Sequence, residues 1–109
     1  MNRGGLQVKF PDGTIIRRPV SADTLADVIN KVIAKYGITD VLNAANKAKG
    51  GKPLISNNSS VYAKYRNMKA LEIEGWYVDT DSSDTRKQEI LEKVFDELGL
   101  SCKVDVIPS

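Results

Sequence analysis

The sequence predicts an α+β fold: a two-layer sandwich with two long helices packed on one sheet of about four strands. Three observations carry this. Leu25, Val28, Ile29, Val32, Ile33 and Tyr36 recur at helical spacing, and so do Ile90, Leu91, Val94, Phe95 and Leu98. Each set is one apolar stripe of an α-helix. The segments outside the helices alternate apolar and polar residues, the two-residue period of a half-buried strand. Both stripes need cover, and one shared sheet supplies it. The 109 residues fit a single domain, 1–109.

Leu6, Val8 and Phe10 alternate with Gln7 and Lys9. Pro11-Asp12-Gly13-Thr14 follows as a reverse turn, since proline presets φ and glycine accepts a positive one. Thr14, Ile15 and Ile16 resume the strand, so residues 6–18 read as a hairpin closed by Arg17-Arg18-Pro19. Ser21 or Asp23 caps the first long helix, and Gly37 stands where a left-handed C-cap is wanted. Thr39 opens a short helix through about Asn46, with Val41, Leu42 and Ala45 inward. Residues 47–53 are a loop by composition. Leu54-Ile55 is an apolar anchor before a polar run, and residues 61–69 fit a strand or a short helix equally.

Leu71, Ile73, Trp76 and Val78 have β character broken by Gly75, a turn or a bulge. Trp76 and Tyr77 take opposite faces if extended. Asp79-Thr80-Asp81-Ser82-Ser83-Asp84 ends in capping residues, and Gly99 closes the second long helix. Cys102, Val104 and Val106 alternate with Lys103 and Asp105 as the final strand, stopped by Pro108. A shift of 62 residues aligns the two helices, Gly37 with Gly99 included. Either two related β-β-α halves are present, or both helices follow the common glycine-capped pattern.

Composition excludes several functions. Histidine is absent, which removes Ser-His-Asp and Cys-His catalysis and the commonest metal ligand. With one cysteine, an internal disulfide is excluded, and Cys102 reads as a small buried hydrophobe rather than a nucleophile. No apolar run reaches the length of a membrane span, and the start lacks a signal-peptide apolar region. A cytoplasmic protein without a membrane partner, catalytic residue, cofactor or metal is expected.

Three motifs fail. Asp79, Asp81 and Ser83 begin like a calcium loop, but Asp84 stands where glycine is needed and Ile90 where a bidentate Glu is needed. Thr80, Ser82, Ser83, Arg86 and Lys87 offer hydroxyls and cations to an anion at a helix N-terminus. Asp79, Asp81 and Asp84 would repel that anion. Gly50-Gly51-Lys52-Pro53 lacks the phosphate-loop spacing.

The net charge of +2 hides a split. Residues 1–70 carry 12 Lys/Arg and 4 Asp/Glu; residues 71–109 carry 4 and 10. Such asymmetry marks either a polyanion-binding region or two faces that neutralise each other. In the segment 47–69, Lys47, Lys49, Lys52, Lys64, Arg66 and Lys69 bracket Tyr62 and Tyr65. Cations interleaved with aromatics hold a nucleic-acid backbone and stack its bases, whereas the plainer reading packs the tyrosines in the core.

Val8-Lys9-Phe10-Pro11-Asp12-Gly13-Thr14, Pro53-Leu54-Ile55-Ser56, Tyr62-x-x-Tyr65 and Gly75-Trp76-Tyr77-Val78-x-Thr80, with the final helix–glycine–strand, resemble a family of small bacterial hypothetical proteins of the Bacteroidales type. The resemblance covers most of the chain, least well at 39–52. Its most specific piece is Gly-Trp-Tyr-Val-x-Thr. It implies a bacterial source and no particular activity.

The expected role is a small non-catalytic binding module, with nucleic acid meeting the basic segment 47–69. The alternative is a protein-interaction or self-association module that uses a sheet edge or an exposed Tyr/Trp surface.

Overall fold

The computed structural model describes residues 5–49, 53–58 and 68–108. Strand β1 (Gly5–Lys9) turns through Pro11-Asp12-Gly13 into β2 (Ile15–Ile16), pairing Val8 with Ile16 and Lys9 with Ile15. Asp12 Oδ1 accepts from the Thr14 N–H at 2.9 Å, and Gly13 takes φ of 92°. That bond holds the Asp12 carboxyl below its ordinary pKa, with Lys31 adding to the effect.

Helix α1 (Ser21–Tyr36) is entered from Val20, which has extended backbone and makes no side-chain cap bond. Ser21 and Asp23, expected as caps, lie inside the helix instead. The reason is upstream: the Arg18 N–H donates to Oγ1 of fully buried Thr24 at 2.8 Å, drawing the chain into the helix ahead of its polar residues. Gly37 ends α1 and at once starts α2 (Ile38–Ala48). This helix is longer at both ends than expected and takes in Lys47 and Ala48, read as loop. Its buried face is Val41, Ala44, Ala45 and Ala48, small enough to seat closely on its neighbours.

Strands β3 (Ile55–Ser56), β4 (Met68–Ala70) and β5 (Tyr77–Asp79) precede α3 (Asp84–Leu98) and β6 (Lys103–Ile107). Residues 68–70 of the ambiguous segment are therefore strand. Residues 61–67 and 50–52 lie outside the described residues. Ser83 caps α3 by accepting from the Arg86 N–H at 3.1 Å, and Gly99 closes it in the left-handed region.

The single four-stranded sheet is not what forms. Among the described residues there are two three-stranded antiparallel sheets, β2-β1-β6 and β3-β5-β4. Central β1 and β5 have both edges taken, so the sheets could join only through their outer strands. Helix α1 packs against β1 and β2 of the first sheet and against β4 of the second.

Both long helices do share β1 as cover: α1 packs on it directly, and α3 packs on β6 and β1. Helix α2 fills the remaining side, on α3 and α1. Leu6, Leu25, Val28, Ile29, Ile90 and Leu91 are at most 1% exposed. Each contributes about 1.5–3 kcal/mol by leaving water. The order β-β-α occurs twice, and Gly13, Gly75, Gly37 and Gly99 all have positive φ. The packing does not repeat: α1 covers its own hairpin, whereas α3 covers β6 and β1.

Candidate functional site

The cations expected to hold a polyanion are partly accounted for. Lys47 Nζ lies 3.4 Å from Glu97, Lys49 Nζ 3.5 Å from Asp79 and Lys69 Nζ 3.0 Å from Asp23. They are spread over α2, the residue after it, and β4. Each sits against a carboxylate, and the Lys49 side chain is only 12% exposed. The other members of the set, Lys52, Tyr62, Lys64, Tyr65 and Arg66, lie outside the described residues. The Lys47 and Lys69 pairs are solvent-exposed, so each holds its partner by about 1 kcal/mol or less.

The acidic loop before α3 has its own cation. Lys87 is 3% exposed, and its Nζ donates to the Thr80 carbonyl at 3.0 Å and also to the Ser82 carbonyl. Buried Asp79 turns the loop, its Oδ1 accepting from the Asp81 N–H at 2.9 Å. Burial holds the Lys87 ammonium below its usual pKa of 10.5, against the opposing pull of Asp84, Asp79 and Asp81. Arg86 is paired with Glu89 at 3.2 Å. Both cations of that anion site are thus engaged by groups of this chain, Lys87 in the interior and Arg86 at the surface. Among the described residues, no cluster of His, Cys, Asp or Glu is arranged to hold a metal ion. The role of Lys87 had a signal in the sequence: it falls on the Ile90, Leu91, Val94 stripe.

Among the described residues, the backbone of β6 presents an open edge. The Phe10 N–H donates to the Thr14 carbonyl at 2.8 Å, so β1 turns its even-numbered backbone groups toward β2. Gly5, Gln7 and Lys9 therefore turn theirs toward β6, where they oppose Ile107, Asp105 and Lys103. By the same alternation, Val104 and Val106 aim their N–H and C=O groups away from β1. Among the described residues no strand pairs with this edge. One group on it is engaged: the Val104 carbonyl accepts from Gln88 Nε2 of α3 at 2.9 Å.

A groove of about 550 Å³ lies between α3 and the start of β6, lined by Glu92, Phe95, Asp96, Cys102, Lys103 and Val104. Among the described residues the other outer strands, β2, β3 and β4, span two or three residues each and are poorer templates. Beyond β2 come Arg17, Arg18 and Pro19, residue types that blunt an edge.

A second cleft of about 520 Å³ adjoins the first at Leu100, with Phe10, Val32 and Lys31 in its walls. Lys31 Nζ stands 5.1 Å over the Phe10 ring and 3.5 Å from Asp12. Cys102, nearby, is half-buried rather than buried, and burial pushes its thiol up to about 11. At neutral pH it is protonated, which agrees with a packing role. Trp76 and Tyr77 are both half-buried.

No family model matches the chain, and neither a curated protein nor a solved structure matches it significantly.

Proposed function

We propose that this chain is a small non-catalytic binding module that takes up an extended segment of another polypeptide by strand addition along β6. The supporting observation is the edge that is open among the described residues: Val104 offers its N–H, beside a groove walled by α3, and Val106 offers its N–H and C=O. Strand addition uses such an edge for affinity and the flanking pockets for selectivity. Catalysis is left out of this reading because the sequence has no histidine and its acidic loop is closed by Lys87. A bacterial, cytoplasmic source belongs to the same proposal; among the described residues no helix is long and apolar enough to cross a membrane.

The test is selection from a displayed library of short random peptides, followed by residue-resolved amide exchange. Bound peptides are expected to slow exchange at Val104 and Val106, and to leave Asp105, already paired with β1, unchanged. Selected peptides that protect neither valine amide overturn the reading.

Nucleic-acid binding through 47–69 is the second reading, favoured by the charge excess of residues 1–70 and by the 68% exposure of the Lys47 side chain. Three to five phosphate contacts would give a log–log salt slope of roughly −3 to −4.5. Titration of labelled DNA and RNA at two salt concentrations measures it, and no binding at low salt removes it.

A further inference from the structure

We infer that the segment added to β6 is basic, with lysine or arginine at alternate positions. This rests on the strand-addition reading above. Gln88, Glu92 and Asp96 follow at four-residue steps and so share one face of α3. Gln88 reaches the Val104 carbonyl, which fixes that face over the free edge of β6. Glu92 and Asp96 line the groove, both are exposed, and neither forms an ion pair among the described residues.

A strand laid along β6 points alternate side chains toward α3 and toward the outer face of the sheet. Those toward α3 meet two carboxylates four residues apart. A lysine or arginine there gains two acidic neighbours, and an acidic residue is repelled by both. Lys103 stands on the other side of the groove and leaves an excess of one negative charge.

A second copy of the chain is the competing occupant. Two β6 edges paired antiparallel about Val104 would set Lys103 against Asp105 of the other copy. The same arrangement extends one sheet through both molecules and turns the Glu92 and Asp96 faces of the two α3 helices toward each other. Four carboxylates then converge, which a basic segment avoids.

The experiment uses three labelled heptapeptides with valine alternating with lysine, threonine or glutamate, measured by fluorescence anisotropy at low and at moderate salt. The lysine peptide is expected to bind roughly tenfold tighter than the threonine peptide, with the glutamate peptide weakest. The preference should shrink with salt, since the Debye length is about 10 Å at 0.1 M. In Glu92→Lys/Asp96→Lys the order should reverse. Val106→Pro removes a free-edge N–H and no bond to β1, a place where a strand tolerates proline. It should abolish binding of all three peptides. Slowed exchange at Val104 and Val106 in the unaltered protein gives the same answer if this variant does not fold.

Equal binding of the three peptides, lost in Val106→Pro, overturns the charge inference and leaves strand addition standing. Lysine-peptide binding that ignores Val106→Pro and protects neither valine amide overturns both, as does absence of binding. A dimer in sedimentation equilibrium that Val106→Pro dissolves assigns the edge to a second copy and overturns the inference.

Discussion

The ammonium of Lys87 donates to the main-chain oxygen of Thr80 at 3.0 Å, closing the acidic loop at the start of α3 with a cation from within the helix. Ser82 supplies a second carbonyl, and Asp79, Asp81 and Asp84 supply negative charge around it. The acidic loop therefore carries an internal cation. Lys87→Met keeps the stem and loses these charge-assisted bonds, each of which contributes about 1.5–3 kcal/mol. Desolvation of the buried ammonium offsets part of this, so urea denaturation should show a loss of about 2–3 kcal/mol. Calcium or magnesium should leave the melting temperature of the unaltered protein where it was. A rise would mean that the loop accepts a metal despite Lys87.

The two long helices, the first hairpin and the last strand were legible because each has a strong period and a chemical stop. Pro11-Asp12-Gly13 marks a turn, and Gly37 and Gly99 mark helix ends. Helix α2 was only half legible: its buried face is mostly Ala44, Ala45 and Ala48, whose small side chains leave a faint stripe. The division into two sheets was not legible, because β3 pairs with β5 across more than twenty residues and through only two positions. Pairing that short is decided by what packs around it. The open edge was foreseen only as a kind of surface. Which backbone groups of β6 face outward depends on the register with β1, a tertiary property. The basic segment was legible as composition, but its pairing with Glu97, Asp79 and Asp23 was not, since those acids lie far away in sequence.

Gly37 and Gly99 separate two kinds of glycine requirement. A Cβ at either position would meet no atom within 4 Å, so space does not distinguish them. Backbone conformation does. Gly99 has φ 68° and ψ 30°, the left-handed helical region that asparagine also visits. Gly37 has φ 87° and ψ 157°, a region essentially restricted to glycine. Gly99→Ala should cost about 1 kcal/mol, with Gly99→Asn costing less. Gly37→Ala should cost about 2–3 kcal/mol, and Gly37→Asn should recover none of it. Chemical denaturation of the four variants checks the order, and equal costs at the two sites would contradict it.

Val20 is the one place where a gain is expected. It occupies the N-cap of α1 with φ −115° and ψ 129°, the backbone an N-cap residue uses, yet it has no oxygen to accept from the first turn. Its side chain is 45% exposed, so little packing is lost on replacement. Val20→Ser should stabilise the protein by about 0.5–1 kcal/mol. Val20→Asp should match or exceed this, because its charge also meets the positive end of the helix. Val20→Ala, which supplies no acceptor, should give no gain. A melting temperature for the serine variant at or below that of the alanine variant would show that the Val20 position does not act as a cap.

Cys102 and Lys87 should bend the alkaline limb of the stability curve in opposite directions. Burial pushes the Cys102 thiol from its usual 9.0 up to about 11; Lys35 and Lys31 pull it down and Asp12 pushes it further up. Between these values the unfolded chain gives up the proton and the folded chain keeps it. The stabilising contribution of the thiol is thus complete below pH 9.0 and is lost as pH rises through about 11. For Lys87 the sign is reversed. Its folded pKa lies below 10.5, so the folded chain releases its proton first and this contribution to stability grows as pH rises toward 10.5. Urea midpoints across an alkaline pH series should show Cys102→Ser lacking the downward component and Lys87→Met lacking the upward one. Direct titration of thiolate absorbance in the folded protein should give a midpoint near 11. A midpoint at the usual value would mean that water reaches the thiol freely, and that the loop after Gly99 does not shield it.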